Sequence, residues 1–450
     1  MSERVGIVGG GLAGCEAAWQ LARAGVPVDL FEMRPVRGTA AHVTDRLGEL
    51  VCSNSFRNAT LETAVGLLKE EMRQLGSLVM RVADRHTVPA GSSLAVDRVQ
   101  FAEELTGTIA AEPLVRLRRE EVTALPDDGV AIVASGPLTS PALGEAIARE
   151  LGTKYLYFYD AIAPTVTGES IDMTIAWRQS RWGKGGDDYV NCPMTRDEYY
   201  AFVDAVAAAE QVPTREFEKA IYFEGCMPIE EMVRRGRDTP AFGPMRPVGL
   251  VDPRTGQRPY ACVQLRQDDA EGRLFNIVGF QTKMTYPEQR RVLRMIPGLG
   301  RAEFVRLGSL HRNTYVDSPS LLLPTLQVVQ RRRLFLAGQI VGVEGYVESA
   351  AAGLLAGVNA ARLVRGLPLV VPPASTALGS LMAYVTQRGR KDFQPMNANY
   401  GLFPPLARGL RGRDKKLALG QRALADLARW RAEAGLASGG DAAAGSASVA

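Results

Sequence analysis

Histidine and cysteine are scarce in this 450-residue chain. Its three histidines, His42, His86 and His311, are too few and too scattered to suggest a metal cluster, so no metal is expected. The five cysteines stand at 15, 52, 192, 226 and 262, with no C-x-x-C among them. An odd count at wide spacing argues against a disulfide framework, a zinc knuckle or a dithiol reductase, and suits a reducing cytoplasm. No apolar run approaches the ~20 residues that cross a bilayer. No membrane partner is expected. The first strand already begins at Val5, so no cleavable signal is expected ahead of it. With 46% hydrophobic and 23% charged residues the composition is that of a globular protein. The length allows two or three domains.

An excess of either charge is also nearly absent overall, with 53 Lys/Arg against 49 Asp/Glu and a net +4, but the distribution is uneven. Between Arg388 and Arg431 eleven Lys/Arg face three Asp, a local net of +8 against −4 for the rest. Such asymmetry marks a nucleic-acid face, or a solvated Arg-rich helix. Asp414–Glu433 places Leu417, Leu424 and Leu427 on one helical face with Lys and Arg on the others. The final stretch, 437–450, is Ala/Gly/Ser-rich and reads as a disordered tail.

What the chain does have is glycine at telling positions. Arg4–Phe31 reads RVGIVGGGLAGCEAAWQLARAGVPVDLF. Val5, Ile7 and Val8 make a short apolar strand, and Gly9, Gly11 and Gly14 give G-x-G-x-x-G at the turn into a helix. In that pattern the first glycine permits the turn, the second admits a pyrophosphate, and the third lets helix and strand pack closely. Gly10, Leu12 and Ala13 complete the turn, whose N–H groups face the phosphates. Val28–Phe31 is the second strand, and Glu32 at its end can bind a ribose hydroxyl.

The fold resumes late. Leu334–Ala337 reads as a strand meeting Gly338 and Gln339. A Gly-rich turn with Glu344 and Gly345 then leads to a small-residue helix from about Tyr346. A third piece, VAIVASGPLTS at 130–140, is a strand ending in Ser135 and Gly136. Each alone is an ordinary βα turn. The three in this order favour FAD over NAD as resident cofactor, in a two-dinucleotide-binding flavoprotein arrangement. The fold class is therefore α/β, with a Rossmann-like FAD-binding domain interrupted by an inserted α+β domain and followed by a basic C-terminal helix. The expected division is 1–152 and 313–435 for the cofactor domain, 153–312 for the insertion and 436–450 for the tail. Residues 1–152 read as βα units, Arg196–Glu210 and the run after Cys226 as helices, and Tyr260–Leu265 and Leu274–Phe280 as strands.

Two cysteines have unusual surroundings. Cys226 lies in YFEGCMPIEEM, where Pro228 suits a first helical turn and Glu230 and Glu231 suit its positive end. A thiol just before a helix N-terminus loses its proton more readily. Cys52 lies in ELVCSNSFRN, near Arg57. Either can be reactive or a small buried hydrophobe; Cys15, Cys192 and Cys262 read as structural.

The longer words carry more. GIVGGGLAGCEAA, ELVCSNSFR, VASGPLTS, DAIAPTV, NCPMT, FEGCMPIEEM, TPAFGPMRPVGL, GFQTKM, LHRNTYVDSP, GQIVGVEGYVESAAAG and FQPMNANYGLFP run in order from residue 6 to about 405. In these the chain resembles the folate- and FAD-dependent tRNA (uracil-5-)-methyltransferases, the TrmFO family. The resemblance implies 5-methyluridine formation in the T-loop of tRNA. The one-carbon unit comes from 5,10-methylenetetrahydrofolate, and NADH or NADPH regenerates the reduced flavin. It matches Cys226 to the nucleophile that adds to uracil, Cys52 to a second cysteine near the flavin, and His311 to a ring stacked on the folate pterin. The basic segment with Arg411, Arg413, Lys415 and Lys416 fits tRNA binding in character only. A related family that modifies wobble uridines shares the text near residue 338. It adds a large helical C-terminal domain, for which the 45 residues after 405 leave no room. A non-catalytic RNA-binding flavoprotein is the remaining alternative.

Overall fold

The computed structural model describes residues 3–39, 41–152, 155–212, 227–390, 393–406 and 409–436; for 155–161 and 310–312 the description covers the backbone. Cys226 and the expected tail beyond Leu436 lie outside the described residues.

A five-stranded parallel sheet forms the base of the cofactor region. Its strands run in the order Leu334–Leu336, Ala131–Val133, Val5–Val8, Val28–Phe31, Val115–Arg118. Val5 and Ile7 are fully buried in the central strand, as expected where both faces of a parallel sheet are covered. The helix Leu12–Arg23 rises from that strand, and Tyr346–Val364 packs along it. Small residues set the approach. A Cβ at Gly353 would lie 2.1 Å from the Ala13 carbonyl oxygen, and one at Gly357 2.7 Å from that of Ala17. By length and composition Tyr346–Val364 could cross a membrane, but 72% of its apolar window is buried within the protein. It is a core helix.

The insertion is built differently. Six antiparallel strands run in the order Trp177–Arg178, Tyr189–Met194, Ala261–Gln267, Leu274–Ile277, Thr165–Thr167, Phe304–Arg306. The helix Arg196–Ala208, opened by a Thr195/Glu198 capping box, packs Tyr199, Phe202, Val203 and Val206 into this sheet's own core. The chain leaves along Tyr155–Ala161 and returns along Leu310–Val316, and these two strands pair with each other.

Residues 1–152 are more than βα units. Ser55–Asn58, Ser93–Val96 and Thr87–Val88 form a small antiparallel sheet between the second and later parallel strands. Short strands broken by a register shift between Ser55 and Asn58 leave little alternation to read. The basic helix spans Gly412–Glu433, and its buried face is Leu419, Ala423, Leu427 and Trp430. Leu417 and Leu424 lie beside that face, half-buried. Trp430 draws the seam toward itself, a bulky apolar residue that the leucine spacing alone did not weigh.

Candidate active site

A cleft of about 1030 Å³, open on one side, lies over the C-terminal ends of the parallel strands. Gly9, Gly10, Gly11, Leu12, Ala13, Glu32, Ser135, Gly136, Gly338, Gln339 and Tyr346 all line it. The three fingerprint glycines divide the work. Gly9 has φ +109° and abuts the Ala134 carbonyl, so no side chain fits there. A Cβ at Gly14 would lie 1.8 Å from the Gly9 oxygen; Gly14 packs beneath the turn and does not line the cleft. A Cβ at Gly11 would meet no protein atom within 4 Å. Its open side leaves space for something other than protein.

The helix Leu12–Arg23 and the helix Tyr346–Val364 both have glycine N-caps, Gly11 and Gly345, with no side-chain hydrogen bond. Thr63, Ser77, Asp97, Ser140 and Thr195 cap other helices with side-chain hydrogen bonds, while Ile229–Arg235, Tyr286–Leu293 and Gly412–Glu433 lack one as these two do. The first-turn N–H groups at the cleft therefore lack side-chain acceptors, which is the arrangement a diphosphate uses. These features fit a dinucleotide such as FAD.

Glu32 sits at the far end of the cleft and accepts from the Gly10 N–H at 3.0 Å. Arg34, which sequence reading missed, binds the other Glu32 oxygen at 2.8 Å and Glu49 at 3.0 Å. Burial alone would raise the Glu32 carboxyl, but the hydrogen bonds and charge of Arg34 outweigh it and hold it below the usual carboxylate range. Glu344 and Gly345 stand outside the lining. Glu344 accepts from the Gln339 side chain at 2.8 Å and so fixes a residue that does line it.

Cys52 lies at the cleft's edge, next to the lining residue Val51. Its Sγ is 3.0 Å from the hydroxyl of Tyr346. That phenolic oxygen also accepts the N–H groups of Cys52 at 3.0 Å and Ser53 at 3.2 Å. With its lone pairs taken by two N–H donors, the hydroxyl keeps its proton to offer to sulfur. Burial first, and the neighbouring Cys52 second, push Tyr346 well above the usual tyrosine range. The phenol stays protonated.

Arginines grip this loop from outside. Arg306 donates to the Val51 carbonyl at 2.9 Å, and Arg98 to that of Leu50 at 3.2 Å while pairing with Asp268 at 2.6 Å. Arg266 donates to Ser53 Oγ at 2.8 Å and Asn54 Oδ1 at 2.9 Å. Sequence reading missed all three. The available signal was Arg266 within ACVQLRQ, a strand whose seven residues are all buried. An arginine there needs a partner.

The other expected residues are dispersed. His311 lies on Leu310–Val316 opposite Asp160, with its side chain outside the described residues. The helix after Cys226 spans Ile229–Arg235 with Pro228 as its N-cap. Cys15, Cys192 and Cys262 are buried, and burial raises all three thiols. Arg411, Arg413, Lys415 and Lys416 are exposed at the start of the basic helix, and Arg413 pairs with Glu62 at 2.6 Å.

The comparisons with known proteins agree with this architecture. The family described as "Glucose inhibited division protein A" matches residues 4–368. The methylenetetrahydrofolate–tRNA-(uracil-5-)-methyltransferase TrmFO of Geobacter sulfurreducens is 60% identical over 433 residues, 96% of this chain and 100% of that protein. The TrmFO of Heliobacterium modesticaldum is 58% identical, over 95% of this chain and 98% of its own. Among solved structures, GidA of Aquifex aeolicus superposes with a TM-score of 0.71 at 18% identity, over 97% of this chain and 76% of that one. That likeness concerns the fold alone. With full-length identity at this level, the chain belongs to the glucose-inhibited division protein A family and, within it, to the TrmFO methyltransferases.

Proposed function

We propose that this chain methylates C5 of a uridine in the T-loop of tRNA, taking the one-carbon unit from 5,10-methylenetetrahydrofolate. The observation that carries the reading is a cysteine, Cys52, hydrogen-bonded to a tyrosine that lines a glycine-built dinucleotide cleft. The relatives' name supplies the folate, the tRNA and the uracil position. FAD, when bound in the cleft, supplies the electrons that complete the methyl group, and NADH or NADPH restores them.

The first-turn N–H groups of Leu12 and Ala13 hold the diphosphate, with Gly11 leaving room for it. Glu32, kept ionised by Arg34, takes the ribose hydroxyls. C5 of uracil is a poor nucleophile. A Cys226 thiolate adding to C6 turns C5 into an enolate carbon that attacks the methylene carbon. Loss of the C5 proton breaks the methylene–nitrogen bond, so tetrahydrofolate leaves and an exocyclic methylene remains at C5. A hydride, which reduced FAD would supply when bound, converts that methylene to the methyl group as the Cys226 thiolate leaves C6 and the ring double bond returns. Cys52 and Tyr346 form a pair able to hold or pass a proton at the cleft's edge. His311 stacks on the pterin by likeness to the family. The cofactor domain is 1–152 with 313–435, and the paired strands Tyr155–Ala161 and Leu310–Val316 join it to the insertion. The exposed cations at 411–416 contact tRNA phosphates.

The test is to incubate the protein with unmodified tRNA, labelled methylenetetrahydrofolate and NAD(P)H, and map the labelled base. Label in a T-loop 5-methyluridine is expected; label at a wobble uridine, or none, overturns the reading. Cys226→Ala should keep its flavin and lose transfer. A 5-fluorouridine tRNA should form a covalent adduct with the unaltered chain alone, and an adduct mapped to Cys52 reverses the assignment.

A further inference from the structure

Trp182 is 67% exposed, and it sits in the left-handed backbone region at φ 60°, ψ 21°. Bulky residues rarely adopt that conformation, and it persists only where the surroundings impose it. Here the Trp182 N–H donates to the Gly249 carbonyl at 3.1 Å. One face of the indole lies on the backbone of Gly249, where a Cβ would come within 2.9 Å of Cε2 and 3.0 Å of Nε1. Gly249, itself at φ +84°, is what allows the ring to lie flat. The rest of the ring faces solvent.

The ring's surroundings are cationic. Arg181 donates to the Gln264 side chain and the Val248 carbonyl, both at 2.7 Å and both neutral. Burial lowers Arg181, and Arg246 nearby adds to that through like charge. Lys184 and Arg246 are exposed. Among the described residues none of the three cations has an ion-pair partner. Of the two acids at the same tip, Asp188 is turned inward onto the Gly91 N–H at 2.6 Å. Asp187 is exposed.

The position is telling as well. Residues 180–188 form the tip of the hairpin joining Trp177–Arg178 to Tyr189–Met194. Tyr189, at the base of the tip, pairs with Arg266, and Arg266 holds Ser53 and Asn54 beside Cys52. The Tyr189 hydroxyl also reaches the Ala90 carbonyl at 3.1 Å. The tip therefore stands at the end of the inserted sheet that meets the Cys52 loop.

We propose that Trp182 is a stacking platform for an unpaired base of the RNA substrate, with Arg181, Lys184 and Arg246 holding the flanking phosphates. An aromatic face accepts any base, and unpaired cations beside it suit a single-stranded backbone. The proposal rests on the RNA-modifying reading above and adds a binding site within the insertion, far in sequence from the basic helix.

The test measures binding of an unmodified tRNA transcript to the flavin-loaded protein and to Trp182→Leu, Trp182→Phe and Lys184→Glu/Arg246→Glu. Trp182→Leu should weaken binding by roughly tenfold or more. Trp182→Phe should keep most of the affinity, and the double reversal should flatten the salt dependence. Flavin content, melting temperature and RNA-free NAD(P)H oxidation should be unchanged in all. Trp182→Leu binding tRNA like the unaltered chain overturns the platform. So does a change confined to self-association, which would make the indole a contact between copies. If the unaltered chain neither binds nor methylates tRNA, the broader reading fails instead.

Discussion

The parallel sheet and the inserted antiparallel sheet approach the Cys52 loop with opposite means. On the parallel side most of the working groups are backbone: the Gly9–Gly11 turn, two helix N-termini capped only by glycine, and Gly136 and Gly338 at positive φ, with the Tyr346 hydroxyl and the Arg98 guanidinium as the side chains that reach the loop. On the inserted side they are side chains, chiefly Arg266 and Arg306, reaching carbonyls and hydroxyls of the loop. Backbone groups aimed at a ligand cost little entropy to order and tolerate no added atoms. Long side chains tolerate atoms but must be fixed and desolvated. One side breaks by added volume, the other by lost partners.

The largest effect should therefore come from adding volume under the glycine turn. Gly14→Val drives new atoms into the Gly9 carbonyl, which is backbone and cannot swing aside as the end of a side chain would. It should destabilise the protein by about 3 kcal/mol or more and release flavin. Denaturant unfolding and absorbance of the purified protein check this. Retained flavin and stability would mean that the turn is not close-packed.

Removing a partner on the inserted side should cost less. Arg266 is buried, its burial lowers its basicity, and it bonds neutral groups only. Arg266→Met loses two hydrogen bonds but spares a desolvated cation, so the net cost should be about 1–3 kcal/mol. Flavin should remain, while alkylation of Cys52 by iodoacetamide should quicken as the loop loosens. Loss of flavin without faster alkylation would show that Arg266 serves the cleft and not the loop.

Glu71 sharpens the contrast, because it is a side chain working on the parallel side. It is buried, and its two oxygens accept the N–H groups of Ala377 at 2.7 Å and Leu378 at 2.9 Å. Burial pushes its carboxyl up to about 7. A raised value in the folded state means stability that is full below the ordinary carboxylate range and lost as pH rises through about 7. Glu71→Gln cannot titrate. The stability of the unaltered chain relative to the variant should fall by about 2–3 kcal/mol between roughly pH 5 and pH 8. Melting curves of the two proteins at both pH values check this, and a pH-independent difference would place the Glu71 carboxyl in its ordinary range.

The same contrast explains what could be read from sequence. Glycines at 9, 11 and 14 and the Gly-rich turn before Tyr346 act locally, so their spacing is visible; Gly9 and Gly11 line the cleft, while Gly14 packs beneath the turn and Gly345 stands outside the lining. Arg34 was hidden because its role depends on folding back onto Glu32 and Glu49 around a short loop. Arg98, Arg266 and Arg306 were hidden because the loop they grip lies far away in sequence. Tyr346 was legible as a turn residue, but not as the partner of Cys52, since that contact joins positions 294 apart. Sequence periodicity carries no record of such pairings.

The central claim is that both regions converge to hold the Cys52 thiol against a phenol that donates its proton. The direct measurement is the rate of Cys52 alkylation against pH, followed by peptide mass, in the unaltered chain and in Tyr346→Phe. A hydroxyl donating to sulfur stabilises the thiolate, so its removal should move the alkylation midpoint up by about one pH unit or more. Coincident midpoints, or a lower one in Tyr346→Phe, would contradict the account.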